Sequence, residues 1–311
     1  MKETENPRIA VVGSLNMDLV VSTVRLPRIG ETVEGSSIHY IPGGKGANQA
    51  VGCARLGASA HMVGAVGEDP FGDDILKVLD KYGVNTEAID RIEGTSTGTA
   101  TILRTGEDNC IVIVSGANGF MEPEMVERQE EVIRTADLLL VQLEIPTESV
   151  HRALSLAKSS GVRTILNPAP ARQLTAELLE LCDYITPNET EFLELSCKGS
   201  SMASEDFTDE DWSSLLAEWE QRFDNKVILT RGSRGASYME SGRLRTVPAP
   251  KIEVVDTTGA GDCLNAALGY SLASGMPLYE ALVFAVKAAS ISVTRFGAQA
   301  GMPTIEQIQG L

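Results

Sequence analysis

The sequence contains no run of apolar residues that approaches the roughly 20 needed to cross a bilayer as a helix. Its first six residues, MKETEN, lack the apolar core that a secretory leader needs. The five cysteines are scattered, and no two have the CxxC spacing typical of zinc and redox sites. These absences predict a cytoplasmic protein without a disulfide framework or a structural zinc.

Positive charge is also scarce, because 26 Lys and Arg residues stand against 43 Asp and Glu residues, for a formal net charge of -17. A chain with this charge repels nucleic acids and anionic membranes, and we expect neither as a partner. An anionic substrate would need a local positive site. The histidines, His39, His61 and His151, are far apart in the chain and do not indicate a metal centre.

Apolar residues are plentiful, at 43% of the 311 residues, and suffice for a large core. Strand-like apolar runs alternate with helical patterns along most of the chain. The runs that argue most clearly for strands are residues 9–12, 61–66, 138–143, 162–166 and 184–186. Repeated β-α units predict an α/β fold, with a doubly wound and mostly parallel sheet flanked by helices in a single domain over residues 1–311.

Two segments, residues 15–40 and 96–114, interrupt this alternation. The second contains two strand-like runs joined by a polar turn at residues 105–109, which is typical of a hairpin. We expect the two segments to form a small β-sheet that is inserted into the domain and covers a site as a lid. An exposed lid sheet of this kind often pairs with a second copy, so we expect a homodimer.

The most informative stretch is DTTGAGD at residues 256–262. It follows a β-branched run at residues 252–255 and precedes a helical pattern, so we predict a strand, a glycine turn and a helix. The amides of the turn would face outward at the helix N-terminus, where they suit a phosphate. Asp262 beside them is suited to accept a proton from the group that attacks the phosphate. The alternative is that Asp262 only caps the helix.

Several polar residues lie just past different predicted strands, namely Asn16, Glu144, Asn188, Thr230 and Asp262. Each has an ordinary alternative, such as helix capping for Asn188 or a turn position for Thr230. In a parallel sheet, however, the carboxyl ends of the strands share one edge, and ligands bind there. The shared placement predicts one binding site.

A second glycine turn, GGKGAN at residues 43–48, is not a P-loop, since no Ser or Thr follows the lysine. Together with DTTGAGD, in this order, it resembles the two signatures of the ribokinase-type carbohydrate kinases. The likeness covers residues 9–303. Within that family, the sequence most closely resembles the members that act on ribose. The likeness lies in GSLNMD at 13–18, SGAN at 115–118 and TPNETE at 186–191.

The resemblance implies transfer of the γ-phosphoryl group of ATP to the 5-hydroxyl of ribose, with Asp262 as general base. The amides of Gly259, Ala260 and Gly261 would form the anion hole. Residues implied to hold the sugar hydroxyls are Asn16, Asp18, Gly44, Lys45, Gly46, Asn48 and Glu144. Residues implied to cover the sugar with apolar surface are Ala100, Ile102 and Ile113.

The resemblance also implies nucleotide and cation sites. The nucleotide contacts would be Asn188, Thr230, Arg231, Gly232, Ser233, Arg234, Gly235, Gly261 and Val286, and Glu191 would act on Mg²⁺ through water. A monovalent-cation site, for K⁺, would involve Asp256, Thr258, Ser292, Arg295, Gly297 and Gly301. Val286 replaces an Asn that is frequent near the adenine, which predicts relaxed base selectivity. Gly301 replaces a frequent Ser, which predicts a missing cation ligand that Gly301→Ser would restore.

Other functions stay open at this point. A kinase for deoxyribose, fructose or a nucleoside would share the same motifs. A sugar-binding regulator without catalysis would share the fold, although an intact DTTGAGD argues against it. A dinucleotide-dependent oxidoreductase would need G-x-G-x-x-G after the first strand, and GSLN at residues 13–16 does not supply it.

Overall fold

The computed structural model of the protein describes residues 6–105, 109–196 and 207–311. The expectations for the first five residues and for the hairpin turn at 106–108 lie outside these ranges. Within them, no helix combines the length and the apolar character needed to cross a bilayer.

Strands and helices alternate through most of the described chain. The strands are β1 (Arg8–Val12), β2 (Asn16–Thr23), β3 (Gly35–Gly43), β4 (Ser59–Gly67), β5 (Ile89–Ile92), β6 (Gly98–Arg104), β7 (Asn109–Val114), β8 (Leu138–Gln142), β9 (Arg163–Asn167), β10 (Tyr184–Ile185), β11 (Lys226–Val227), β12 (Leu229–Thr230), β13 (Ala236–Glu240) and β14 (Arg243–Val247). The helices are α1 (Lys45–Arg55), α2 (Pro70–Lys81), α3 (Pro123–Arg128), α4 (Glu130–Arg134), α5 (Thr147–Ser159), α6 (Ala176–Leu179), α7 (Glu189–Leu195), α8 (Asp209–Arg222), α9 (Ala260–Ala273), α10 (Leu278–Ser292), α11 (Ala298–Gly301) and α12 (Ile305–Gln309).

The main sheet is parallel and, within the described ranges, has seven strands in the order β11-β10-β9-β8-β1-β4-β5. Successive residues of β1 point to opposite faces, so Ile9 and Val11 lie in one buried cluster and Ala10 and Val12 in another. Helices α1, α9 and α10 contribute to the first cluster, and α5 and α8 to the second. The prediction of a doubly wound parallel sheet is confirmed. The strands β12-β13-β14 form a separate antiparallel sheet.

Two inserted segments, β2-β3 and β6-β7, together form the small sheet, which we define as β3-β2-β6-β7. Strand β2 pairs parallel with β6 and antiparallel with β3, and β6 pairs antiparallel with β7. One row across this sheet consists of Ile41, Asp18, Ala100 and Ile113 as successive partners. Only three residues separate the end of β1 from the start of β2, so the small sheet is attached directly at the carboxyl edge of the main sheet. The predicted small sheet is confirmed, and its first segment extends to Gly43.

The strand predicted at residues 252–255, before DTTGAGD, is wrong. These residues form no strand, and Val254 and Val255 are 57% and 52% exposed. Two prolines just upstream lack the amide that a sheet ladder needs. The amides of Val255 and Asp256 instead donate to the carbonyl of Val293, at 2.8 and 3.1 Å. This segment is therefore held by the end of α10.

Candidate active site

Asp262 lies in the first turn of α9, as predicted. The helix begins at Ala260, and its N-cap Gly259 has φ = 75°, in the left-handed region that favours glycine. The amide of Ala260 donates to the carbonyl of Thr257 within the turn, at 3.2 Å. The sequence leads us to expect three amides without a partner, and this bond removes one of them. The amides of Gly259 and Gly261 have no acceptor among the described residues. Two backbone donors are thus available to an anion at this helix N-terminus.

The carboxylate of Asp262 turns away from its own helix and towards α1. Asn48 Nδ2 donates to Asp262 Oδ2 at 2.9 Å, and Gln49 Nε2 donates to Oδ1 at 3.1 Å. Asp262 is only 6% exposed. The alternative that Asp262 serves as a helix cap is therefore not supported, since its oxygens accept from side chains of another helix.

Glu144 is fixed by the loop between β1 and β2 and by the first residue of α1. Ser14 Oγ donates to Glu144 Oε2 at 2.5 Å, and the amide of Lys45 donates to the same oxygen at 3.2 Å. Gly44, the N-cap of α1, has φ = 88°, and a β-carbon there would lie 2.7 Å from the amide nitrogen of Asn16. Only glycine fits this close approach of the GGKGAN turn to the start of β2.

Four carboxylates and one ammonium group share this edge of the sheet. Burial, followed by the charges of Glu144 and Asp262, raises the pKa of Asp18 to about 7. Burial also raises the pKa of Asp262, against the lowering effect of Lys45, and it raises the pKa of Glu191. Burial alone would lower the pKa of Lys45, but the surrounding carboxylates raise it. Lys45 therefore stays protonated and supplies the local positive site that an anionic substrate needs.

A cavity of about 320 Å³ lies between the small sheet and DTTGAGD. Asp18, Ile41 and Ile102 line it from the small sheet, and Asp256 and Thr258 line it from the motif. Ala100 and Ile113 occupy the same row of the sheet as Asp18. The cluster around Asp262 is linked to this cavity through Asp18, although Lys45, Asn48 and Glu144 do not line it.

A second cavity of about 470 Å³ lies on the other side of the glycine turn and is mostly apolar. The structure brings together there six of the predicted nucleotide contacts, namely Thr230, Gly232, Ser233, Gly235, Gly261 and Val286. Asn188, Arg231 and Arg234 do not line it. Both arginines pair with Glu189, and Arg231 is 5% exposed and pairs with Asp209 as well. Their guanidinium groups are therefore occupied by carboxylates rather than directed at this cavity.

The predicted cation ligands are brought together in part. Asp256 Oδ1 accepts from the amide and hydroxyl of Thr258, at 3.0 and 2.7 Å, and Oδ2 accepts from the amide of Gly297 at 2.9 Å. These bonds, with burial opposing them, lower the pKa of Asp256. Arg295 is exposed. Within the described ranges, no cluster of three or more His, Cys, Asp or Glu residues could hold a metal ion by itself.

Gly301 lies against Ser292, and this contact changes the result that we expect for Gly301→Ser. A β-carbon at position 301 would lie 2.4 Å from the Ser292 carbonyl oxygen. We therefore expect a serine at this position to displace that carbonyl. Glycine at position 301 is thus explained by a close backbone contact, which no sequence pattern signals.

Sequence reasoning missed further residues of the site. Asn118 accepts from the amide of Leu15 at 2.9 Å and donates to Asn16 Oδ1 at 2.8 Å, so it orients Asn16. Ser14 and Gln49 hold Glu144 and Asp262, as described above. Ser14 and Asn118 lie within quoted motifs, and Gln49 directly follows GGKGAN. Their positions in or next to these motifs could have identified them from the sequence.

Comparison with known proteins agrees with this geometry. The chain is 43% identical over 303 residues to a ribokinase of Bacillus subtilis, covering 97% of this chain and 98% of that one. It is 36% identical to a deoxyribokinase of Salmonella typhi, covering 96% of each chain. The structure of an Arabidopsis thaliana ribokinase complexed with ribose and ATP superposes with a TM-score of 0.90, at 34% identity and 98% coverage of both chains.

The family model for pfkB family carbohydrate kinases matches residues 6–305, which include the small sheet, GGKGAN and DTTGAGD. The match thus covers nearly the whole chain and every residue of the cluster around Asp262. By this match and by the similarity of its relatives, the chain belongs to the pfkB family of carbohydrate kinases.

Proposed function

We propose that the protein transfers the γ-phosphoryl group of ATP to the 5-hydroxyl of D-ribose, giving ribose 5-phosphate and ADP, with Asp262 as general base. The observation that carries the proposal is the placement of Asp262. Its buried carboxylate lies beside the open amides of Gly259 and Gly261 and next to a cluster of polar groups suited to a polyol. Full-length similarity to ribokinases favours ribose among the possible sugars.

The chemistry follows from this placement. As the 5-oxygen of ribose bonds to the γ-phosphorus, its proton passes to Asp262, and the bond from the γ-phosphorus to the β-γ bridging oxygen breaks to release ADP. The amides of Gly259 and Gly261 stabilise the charge on the transferring group, because they are fixed before the reaction. Lys45 offsets the negative charge that Asp18, Glu144 and Asp262 concentrate here.

Sugar recognition rests on the groups between α1 and the small sheet. A neutral polyol needs fixed donors and acceptors, and these are available from Asn16, Asp18, Gly44, Lys45, Gly46, Asn48 and Glu144. Ala100, Ile102 and Ile113 on the small sheet would cover the sugar. We propose that this sheet is a lid on a single domain, closing over ribose to exclude water from Asp262.

The nucleotide would occupy the apolar 470 Å³ cavity, with Thr230, Gly232, Ser233 and Gly235 on one side and Val286 on the other. Asn188 would contact it from the cavity's edge, and Arg231 and Arg234 through their backbone. Glu191 fits a water-mediated role towards Mg²⁺, because Oε2 accepts from the Asn188 amide and Oε1 has no partner among the described residues. Mg²⁺ keeps several waters in such sites and would neutralise charge on the phosphates.

A monovalent cation such as K⁺ would act by holding the glycine turn. Asp256 ties the start of DTTGAGD to Gly297, and oxygen atoms of Thr258 and Ser292 lie in the same region. Oxygen ligands of this kind suit K⁺, with Arg295 and Gly301 contributing backbone only. The cation would fix the amides of Gly259 and Gly261 rather than touch the phosphate.

We also infer that two copies pair through the small sheet. Strand β7 is at its edge, and Ile111, Val112, Ile113 and Val114 are each about half exposed. An edge strand with apolar side chains exposed in this way favours association. Val112→Lys should convert a dimer to a monomer in light scattering.

We place the enzyme in the cytoplasm, where ATP is abundant and where Cys53, Cys182 and Cys263 remain free thiols.

A sugar panel tests the proposed reaction. ADP release would be measured with D-ribose, 2-deoxyribose, fructose and adenosine, at saturating Mg-ATP. The highest kcat/KM is expected for D-ribose. A preference for 2-deoxyribose would instead identify the protein as a deoxyribose kinase. The 36% identity to a deoxyribokinase makes this the second candidate. Absence of ADP release with every sugar would refute a kinase and favour a sugar-binding regulator.

A further inference from the structure

Two short chains of side-chain amides converge on Asp262 from opposite sides. In the first, Gln142 Nε2 donates to Gln49 Oε1 at 2.7 Å, and Gln49 Nε2 donates to Asp262 Oδ1 at 3.1 Å. In the second, Gln299 Nε2 donates to Asn48 Oδ1 at 3.2 Å, and Asn48 Nδ2 donates to Asp262 Oδ2 at 2.9 Å. All four amide side chains are buried. Each of these four hydrogen bonds is donated in the direction of the carboxylate.

The direction of these chains follows from the charge at their end. An ionised Asp262 can only accept, so Gln49 and Asn48 must present their NH₂ groups to it. Their carbonyl oxygens then face outward and require donors, which Gln142 and Gln299 provide. The remaining N–H of Gln49 goes to Asn167 Oδ1 at 3.4 Å, so both of its donors are used. Reversing any amide would put two acceptors in contact.

The outer ends of the two chains carry carbonyl oxygens that have no hydrogen-bond donor in the part of the protein that the structure describes. Gln142 Oε1 and Gln299 Oε1 are buried, and neither has a hydrogen-bond partner among the described residues. A buried carbonyl without a partner destabilises the folded state. Room for the first of these oxygens depends on Gly13, where a β-carbon would lie 1.9 Å from Gln142 Oε1. Such groups are rare in folded proteins, and each calls for an explanation.

We propose that Gln142 and Gln299 are positioning residues that lock Gln49 and Asn48 with their donors towards Asp262. Neither glutamine contacts Asp262 itself or lines the cavity under the small sheet. The inference rests on the proposed role of Asp262 as base. It adds a means by which a carboxylate deep in the protein stays ionised and keeps one fixed direction for proton transfer.

Other charged groups also face Asp262 and contribute to its pKa in every variant. Lys45 comes from α1 and favours the ionised form, whereas Glu144, after β8, disfavours it. Asp18 on β2 and Glu191 on α7 also interact with Asp262. Because these groups remain in place in the variants below, a change in the titration of Asp262 would report the amide chains.

The test replaces the outer donors with apolar side chains of similar size. In Gln142→Met and Gln299→Met, we expect the pKa of Asp262 to rise by about one unit, because its partners lose their fixed orientation. In Gln142→Glu, an acceptor at position 142 would turn the Gln49 amide around, and the rise should be larger. The pKa would be read from the ¹³C resonance of labelled Asp262, assigned by its absence in Asp262→Asn. This readout needs no catalysis, so it is independent of the proposed reaction.

Kinetics provide the second readout. For Gln142→Met, kcat at pH 6.5 should fall, by about tenfold at most for a one-unit rise in the pKa of Asp262, and recover towards pH 8.5, while KM for ribose stays within about twofold. The control is Asn225→Leu, which removes a buried amide that binds Trp219 and Leu179 far from the site. It should lower the melting temperature and leave the pKa of Asp262 unchanged. A shift below about 0.3 units in both methionine variants, or an equal shift in the control, would overturn the proposal.

Discussion

A β-carbon at Gly301 would lie 2.4 Å from the carbonyl oxygen of Ser292, well inside van der Waals contact. This oxygen lies beside the loop that Asp256 anchors, because Val293 accepts from the amides of Val255 and Asp256. The glycine therefore preserves the position of a carbonyl at the proposed cation site. Side chains at position 301 are expected to disturb that site rather than complete it.

Gly301→Ala and Gly301→Ser should both raise the K⁺ concentration for half-maximal rate, by about threefold or more, since each displaces the Ser292 carbonyl. Initial rates would be measured at saturating Mg-ATP and ribose, with K⁺ exchanged for tetramethylammonium at constant ionic strength. Gly310→Ala is the control, because its β-carbon would make only ordinary contacts. A rate that is independent of K⁺ in the unaltered enzyme would remove the cation from the mechanism.

Asp262→Asn should lower kcat by about 10²–10⁴-fold, the usual effect of removing a general base. The side chain keeps its shape and loses its capacity to accept the proton. Ribose binding, measured by calorimetry, should be largely retained. Near-normal kcat in a folded variant would eliminate Asp262 as the base.

Glu144→Ala should weaken ribose binding and leave ATP binding intact. The change leaves Ser14 Oγ and the Lys45 amide without their acceptor, so the sugar-facing turn loses its support. Calorimetry with each ligand separately would measure the effect. Glu148→Ala, at an exposed position on the following helix, is the matched control. Loss of ATP binding with intact ribose binding would show that the two halves of the site have been assigned in reverse.

Asp18→Asn should stabilise the protein above neutral pH. The pKa of Asp18 is about 7 in the folded state, against 3.8 as its reference value. The folded state therefore binds the proton more tightly, and the free energy of unfolding falls as pH rises from about 4 to 7. Removing the charge should recover about 2–4 kcal/mol at pH 8 and very little at pH 4. Urea unfolding at both pH values measures this, and an equal effect at the two would contradict the assigned pKa.

Ribose should slow hydrogen exchange in the small sheet, at residues 16–43 and 98–104, if this sheet closes as a lid. Exchange would be followed by mass spectrometry with ribose, with ATP and with both. Peptides from β9 and β10, at the other side of the main sheet, serve as the internal reference. Unchanged exchange throughout the small sheet would exclude closure on the sugar.

Much of the fold could be predicted because its signals are local. The apolar run at β1 and the turn in DTTGAGD each depend on a few consecutive residues. The amide chains could not be predicted, because Gln142, Gln49 and Gln299 come from β8, α1 and α11 and meet only after folding. The β-branched residues at 252–255 misled for a related reason, since strand formation requires a partner strand that this segment lacks.

The small sheet joins the main sheet through the same residues that are proposed to hold the sugar. Only residues 13–15 separate β1 from β2, Asn16 opens β2 and pairs with Gly98 at the start of β6, and Gly44 follows the end of β3. Asn118, just past β7, binds both Leu15 and Asn16. Any hinge for the small sheet must therefore bend at the residues proposed to bind the sugar. A substitution there that changes the preferred sugar would also change the rates of lid opening and product release. Specificity and turnover in this protein would therefore evolve together.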